Sequence, residues 1–151
     1  MHTTPTAART IGYLAALRAA GIEPDTRLVA GCEFSRGGST DAARRLLALN
    51  PRPTALFAVD NLRTLGAYEA ILESGLVFPG EISLLGFDDL EWTTIVRPPL
   101  SVVAQPAYEL GAAAARLLVS RLAGDTSPHQ MLLLESALVH RDSVARSAPA
   151  S

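Results

Sequence analysis

Short apolar runs alternate along the chain with longer stretches in which apolar residues recur at helical spacing. Three runs predict buried strands, at 28–31, 55–59 and 82–85. The stretches between and before them predict helices at Thr10–Ala20, from Ser39 or Thr40 through Leu49, and at Leu62–Ser74. This α-β-α-β-α-β order predicts an α/β fold, with parallel strands joined by right-handed crossovers and flanked by helices.

The regular alternation of predicted helices and strands ends after residue 96. Arg97–Leu100 has the stiff, extended character of a crossover between two lobes. A strand at Ser101–Ala104, a helix from Gln105–Pro106 to about Leu122 and a final strand at Met131–Val139 follow. Met1–Ala8 and Arg141–Ser151 are predicted to be loosely ordered.

The first predicted helix has no strand before it. Helices of an α/β fold follow strands, so the pattern predicts that a strand is missing from this sheet.

Acidic residues follow the apolar strand that ends at Leu85. Ile82–Trp92 reads ISLLGFDDLEW, which places Asp88, Asp89 and Glu91 just beyond the carboxyl end of that strand. Asp60–Asn61 follows the preceding strand in the same way. Open α/β sheets bind ligands at this edge, so these residues predict a polar small-molecule pocket.

Composition narrows the functional class. The chain has 151 residues, 48% of them hydrophobic and 19% charged, which is typical of a globular domain. A net charge of −2 argues against a nucleic-acid-binding surface within this segment. Cys32 is the only cysteine, so a disulfide framework is excluded. With no apolar run of membrane-span length and no secretion signal, we expect a cytoplasmic protein without membrane contact.

Enzyme chemistry is not indicated. His2, His129 and His140 are far apart and lack metal-ligand spacing. No nucleophile motif and no phosphate-binding glycine loop occurs. An Mg²⁺ site at the acidic cluster would need further acids or a lysine at other strand ends, and only Asp60 is available. We therefore expect no catalytic residues, no metal and no cofactor.

Six segments in order resemble the C-terminal part of the lactose/galactose-repressor (LacI/GalR) family of transcriptional regulators. They are ARTIGYLAALRAAGI, GCEFSRGGSTDAARRLL, PTALFAVDNLRTLGAYEAILESGL, PGEISLLGFDDLEW, PPLSVVAQPAYELGAAAARLL and LVHRDSV, and they cover Arg9 to about Val144. The resemblance implies a periplasmic-binding-protein-like (type I), two-lobed effector domain whose N-terminal part is absent. Residues 1–99 would form most of the C-terminal lobe without its first strand. In a doubly wound order of 2-1-3-4-5, that absent strand would be the central one, between 28–31 and 55–59. Residues 100–127 would enter the other lobe, 128–144 would return, and 145–151 would be a flexible tail.

The resemblance also implies which residues bind the effector. Arg9 lies in an R-x-x-G pattern that matches the family's ligand-binding arginine, and its planar fork can hold two oxygens. Asp88 follows the family's G-[FY]-D pattern; it could accept hydrogen bonds from hydroxyl groups while pairing with Arg9. The alternative for Arg9 is a solvated arginine in a loose N-terminus, and for Asp88 a turn aspartate bonded to its own backbone.

Four further positions have a binding and a structural interpretation. Asp60 stands where many relatives have asparagine, so it would replace a donor and acceptor by an acceptor alone, unless it simply caps the next helix. Gln105 matches a pocket glutamine at the crossover, or starts a helix. Phe34 occupies a stacking position, or the core. Trp92 lines the pocket mouth, or packs in the core.

The resemblance predicts the effector-binding and dimerisation segment of a regulator, usually a repressor. The effector would be a sugar or nucleoside, the assembly a homodimer, and DNA would be bound only through an absent N-terminal helix-turn-helix. Leu65–Leu72 and Met131–Leu134 are the candidate dimer faces. Two alternatives remain: a fragment of a solute-binding protein of a transport system, and a truncated chain that binds nothing.

Overall fold

The computed structural model describes residues 4–146 as a four-stranded sheet with five helices. The helices are α1 (Pro5–Ala19), α2 (Arg36–Leu47), α3 (Asn61–Ser74), α4 (Glu91–Ile95) and α5 (Ala107–Leu122). The strands are β1 (Ala55–Phe57), β2 (Ser83–Phe87), β3 (Ser101–Ala104) and β4 (Ala137–Val139). The predicted loose segments fall partly outside this description, since residues 1–3 and 147–151 are not described.

The sheet order is β1-β2-β3-β4. β1 and β3 each run parallel to β2, while β4 is antiparallel to β3. The predicted α/β class with a mostly parallel sheet is therefore confirmed. Parallel pairing brings the carboxyl ends of β1, β2 and β3 to one edge, where the polar residues follow.

The core lies between this sheet and the pair α2 and α3. Ile71 of α3 and Leu84, Leu100 and Val102 of the sheet region are almost completely buried. Gly66 allows the two helices to touch, because a Cβ built there would lie 2.6 Å from the backbone nitrogen of Thr40. By contrast, α1 has no buried residue and α5 has only Ala113.

Two helices begin earlier than predicted. Thr4 caps α1 by accepting a hydrogen bond from Ala7 N, so residues 5–9 are helical and not loose. Ser35 caps α2 by accepting from Gly38 N at 3.1 Å, whereas Ser39 and Thr40 are buried inside that helix. In both cases an earlier hydroxyl satisfies the free N–H groups of the first turn.

Two predicted strands differ in the structure. Residues 28–31 do not form a strand but continue from a 3₁₀ turn at Thr26–Leu28. None of the described strands lies beside them to accept their hydrogen bonds. The last strand is only Ala137–Val139, because β3 pairs with it over three residues, and Met131 and Leu133 are exposed instead.

A cavity of about 590 Å³ lies beside the free edge of β1. It is lined by residues 28–32, by Thr10 and Tyr13 of α1, by β1 itself and by part of the sheet face away from α3. Phe57 is 37% exposed there. Among the described strands, β1 has a hydrogen-bonded neighbour only on the β2 side. Within residues 4–146, no helix is both long and apolar enough to cross a membrane.

Candidate functional site

Three predicted site residues follow three adjacent strands. Asp60 comes after β1, Asp88 directly after β2, and Gln105 directly after β3. The register pairs Phe87 with Val103, so the ends of β2 and β3 are level. Consecutive parallel strands thus carry polar side chains to one edge of the sheet, as predicted.

Asp88 is held in an unusual backbone conformation. Its φ of 73° lies in the left-handed region, and it is the only described residue other than glycine with a positive φ. Its amide donates to Val103 O at 3.0 Å, and its Oδ1 accepts a hydrogen bond from Gln105 Nε2 at 2.6 Å. The carboxylate is therefore oriented by the neighbouring strand and by Gln105. Its second oxygen is not used in a hydrogen bond among the described residues.

Arg9 reaches the same edge from α1. Its guanidinium carbon lies 3.7 Å from the centre of the Phe87 ring, and Nη1 donates to Val59 O at 2.6 Å. The interaction of a cation with an aromatic face is favourable, and it fixes the orientation of the guanidinium plane. The expected ion pair between Arg9 and Asp88 is not formed within residues 4–146; the guanidinium donates instead to Val59 O, just beyond the end of β1.

Asp60 caps α3, as one of its two interpretations required. Oδ1 accepts from Arg63 N at 2.9 Å, and Oδ2 accepts from Nη1 of the same arginine in a mostly buried ion pair. Arg63 Nη2 also donates to Cys32 O at 3.3 Å. Phe34 is 71% exposed, with the Arg63 guanidinium 5.8 Å from its ring, so its core interpretation is wrong.

Trp92 packs against the hydrophobic core. Its ring centre lies 6.3 Å from that of Tyr68, and its Nε1 donates to Asn61 Oδ1 at 2.9 Å. Asn61 thereby ties the start of α3 to α4. The structure favours the packing interpretation of Trp92 over a position at the pocket mouth.

The acidic residues beyond Asp88 have separate roles. Asp89 accepts from Arg141 Nη2 at 2.8 Å with both oxygens, and Arg141 Nη1 also donates to Leu100 O. Asp89 is therefore engaged by Arg141 in an ion pair that the sequence did not predict. Glu91 is exposed in the first turn of α4.

Sequence inspection missed Arg63 and Phe87 as parts of this edge. Arg63 stands three residues after the capping Asp60, a spacing that brings two side chains together on a helix. That signal was available. Phe87, in contrast, becomes relevant only because Arg9 packs on its ring, across 78 positions of sequence.

The edge combines two guanidinium groups with two carboxylates. Arg9 and Arg63 balance Asp60 and Asp88 in formal charge, and Gln105 adds an amide. Such a set offers many donors and acceptors without net charge, which suits a neutral ligand rich in hydroxyl groups. Among the residues that the structure describes, no group of three His, Cys, Asp or Glu side chains could hold a metal ion.

The large cavity beside β1 is not this site. Of the polar residues at the edge, only Arg63 lines it, and its walls are mainly apolar. The polar cluster at the strand ends and the cavity are therefore separate features, and the cavity reflects the incomplete packing around β1.

Comparison with known proteins identifies relatives over nearly the whole chain. A family model described as "Periplasmic binding protein-like domain" matches residues 1–144. The ribose operon repressor of Escherichia coli (strain K12) is 37% identical over 144 residues, covering 95% of this chain and 43% of that protein. The "Probable opine utilization operon repressor" of Rhizobium rhizogenes is 37% identical over 138 residues, covering 91% and 70%. This chain thus spans less than half of the ribose operon repressor.

Solved structures give the same relationship. The "transcriptional regulator CelR-cellobiose complex" superposes with a TM-score of 0.83 at 37% identity, covering 89% of this chain and 41% of that one. A LacI family transcriptional regulator from Enterococcus faecium with bound ribose superposes with a TM-score of 0.82 at 28% identity, covering 93% and 52%.

Proposed function

The chain belongs to the periplasmic-binding-protein-like domain family in its LacI/GalR branch, and from this premise we propose that it is the effector-sensing segment of a transcriptional repressor. The observation that carries the proposal is the strand-end cluster of Arg9, Asp88 and Gln105, in which side chains from three elements converge on one edge. The segment binds and does not catalyse.

The effector is a sugar or a nucleoside bound at this edge. Asp88 accepts from ligand hydroxyls through the oxygen that Gln105 leaves free, and Arg9 donates from a guanidinium plane fixed by Phe87. Support for a sugar comes from the relatives, since one is named for the ribose operon and two solved neighbours contain ribose and cellobiose. Phe34, exposed beside Arg63, supplies an aromatic face for the sugar ring.

Residues 1–99 form most of one lobe, and residues 100–127 enter a second lobe before 128–144 return. This proposal explains why α5 is so exposed: Tyr108 is 84% and Leu122 79% accessible, as expected for a helix whose packing partner lies in the other lobe. An absent packing partner also explains the cavity beside β1, which the first strand of the lobe would fill. A strand there would pair with the free edge of β1 and cover Phe57.

The parent regulator is a cytoplasmic homodimer that contacts DNA through a helix-turn-helix outside this chain. Effector binding between the lobes changes the dimer geometry and so the affinity for DNA. Of the two candidate dimer faces, Met131–Leu134 is exposed at every position, whereas Leu65–Leu72 is largely buried apart from Leu72 at 56%. Met131–Leu134 is therefore the more accessible face. The named relatives are repressors and regulators, which favours this role over a solute-binding protein.

A ligand screen on the full-length protein tests the proposal. Melting temperatures would be measured against pentoses, hexoses, disaccharides and nucleosides. A ligand at about 100 times its Kd stabilises the folded state by about 2.7 kcal/mol, which gives a clear upward shift. A cooperative transition that no member of the panel shifts would contradict a sugar or nucleoside effector.

A further inference from the structure

Asp60 does not present a free carboxylate to a ligand. Both of its oxygens are engaged by Arg63, one through the backbone amide and the other through Nη1. The two side chains are only 13% and 18% exposed, so the pair is partly shielded from solvent and hydrogen bonds to it are stronger than at a fully exposed position.

The pair retains hydrogen-bonding capacity on both sides. A carboxylate has about four acceptor positions and a guanidinium five N–H donors. Among the described residues, Asp60 uses two acceptor positions, while Arg63 side-chain donors go to Asp60 Oδ2 and Cys32 O. An acceptor and a donor therefore stand side by side at the end of β1.

Arg63 is also positioned by its surroundings. Its contact with Cys32 O and its approach to the Phe34 ring place the guanidinium between α3 and the segment that leads into α2. Arg9 is bonded to Val59 O, one residue before Asp60. The two arginines thus flank the exit of β1, and the exposed Phe34 ring lies beside the second.

We propose that Asp60 and Arg63 act as one recognition unit for a sugar hydroxyl, which donates to Asp60 and accepts from Arg63. The inference rests on the proposed function and adds a specificity-determining residue, Arg63. A neutral amide at position 60 would offer the same donor and acceptor within one side chain. The ion pair therefore substitutes for an amide and selects a hydroxyl group over a cationic or purely accepting group.

A double-mutant cycle tests the unit. Calorimetric titration of the full-length protein would use D-ribose and cellobiose with the wild type, Asp60→Asn, Arg63→Met and the double variant. Each single variant is expected to weaken binding at least tenfold, because it leaves the remaining, mostly buried partner unmatched. The double variant, which restores a neutral donor and acceptor, is expected to bind within about threefold of the wild type. Arg44→Met, at an arginine paired with Asp41 and Glu73, is the matched control and should change nothing.

Deoxy analogues of the bound sugar separate recognition from support of the fold. The analogue that lacks the recognised hydroxyl should bind the wild type as weakly as the parent sugar binds Arg63→Met. Arg63→Met should bind this analogue and the parent sugar with equal affinity. If Arg63→Met binds sugar within twofold of the wild type while Asp88→Ala does not bind, the unit is disproved and the proposed function stands. If the double variant loses as much binding free energy as the two single variants combined, the unit is also disproved. If the wild type binds neither sugar, both proposals fail for these ligands.

Discussion

The side-chain amide of Gln105 donates to Oδ1 of Asp88 at 2.6 Å and so joins the ends of β2 and β3. Gln105 also marks the point where the chain leaves the sheet for α5. A ligand that contacts Asp88 is thereby coupled to the crossover segment. Within a two-lobed protein, such a bond would link ligand binding to the movement of one lobe against the other.

Replacing Gln105 by alanine should weaken effector binding. The carboxylate of Asp88 would lose its orienting donor, and a hydrogen bond to a charged group contributes about 1.5–3 kcal/mol. We expect the Kd to rise at least tenfold, with little change in melting temperature, since Gln105 is exposed. Titration calorimetry measures the Kd. Gln130→Ala, at another exposed glutamine, should leave it unchanged. An unchanged Kd for the Gln105 variant would show that Asp88 needs no such support.

Asp88 combines a proposed role in ligand binding with a strained backbone. A side chain other than glycine in the left-handed conformation costs about 1–2 kcal/mol. Asp88→Gly should therefore be more stable than Asp88→Ala by about that amount, because φ is 73°. Chemical denaturation of the two variants measures the difference. Equal stabilities would mean that the backbone relaxes away from this conformation when the carboxylate is removed.

Two glycines permit close packing. A Cβ at Gly66 would lie 2.5 Å from Ser39 Cβ, and one at Gly86 would lie 2.5 Å from Thr64 Cγ2. Gly66→Ala and Gly86→Ala should each destabilise the fold by about 1–3 kcal/mol through overpacking. Gly12→Ala is the control: nothing lies within 4 Å of its Cβ, and in α1 an alanine should stabilise by up to about 1 kcal/mol. Denaturant unfolding should show Gly66→Ala and Gly86→Ala to be less stable than the wild type and Gly12→Ala to be at least as stable. Equal free energies of unfolding for the three variants would refute the packing argument.

Ser143 fastens the C-terminal segment to the sheet. Its hydroxyl donates to Leu84 O at 2.6 Å and accepts from Ser101 N at 2.8 Å, and the residue is fully buried. Ser143→Ala would leave both backbone groups unpaired, at a cost of about 1–3 kcal/mol. The exposed Ser136→Ala should be neutral. Unfolding by urea compares the two, and a neutral Ser143→Ala would show that water replaces the hydroxyl.

Hydrogen exchange should distinguish the two proposed lobes. In the isolated 151-residue chain, the amides of α5 should exchange faster than those of β2, because only Ala113 of α5 is buried. In the full-length protein, α5 should become protected as its partner lobe covers it. Exchange rates in α5 that are the same in both proteins would contradict the assignment of 100–127 to a second lobe.

Elements with local signals were predicted well. β3 has the predicted bounds of Ser101–Ala104, since a short apolar run stands between two proline-containing segments. The polar strand ends were also predicted, because parallel topology alone places them together. The start of α2 was not: three hydroxyl residues lie at or near it, and only packing against Gly66 decides that Ser39 and Thr40 belong inside the helix.

Long-range contacts could not be predicted. The pairing of Asp89 with Arg141 joins residues 52 positions apart, and no spacing rule links them. The strand expected at 28–31 failed for a related reason: its apolar residues carry the pattern of a strand, but a strand also requires a neighbour to accept its hydrogen bonds. The hydrophobic pattern depends only on the residues of the segment, whereas strand pairing depends on the neighbouring chain.

The central claim is that a sugar or nucleoside binds at the strand ends through Asp88. The most direct test is calorimetric titration of the full-length protein with the ligand that shifts its melting temperature most. Three proteins would be compared: the wild type, Asp88→Gly, which removes the carboxylate without backbone strain, and Glu91→Ala, which removes an exposed carboxylate three residues away. The account predicts that Asp88→Gly binds at least tenfold more weakly and that Glu91→Ala binds like the wild type. Equal affinity of the wild type and Asp88→Gly would place the ligand elsewhere and contradict the account.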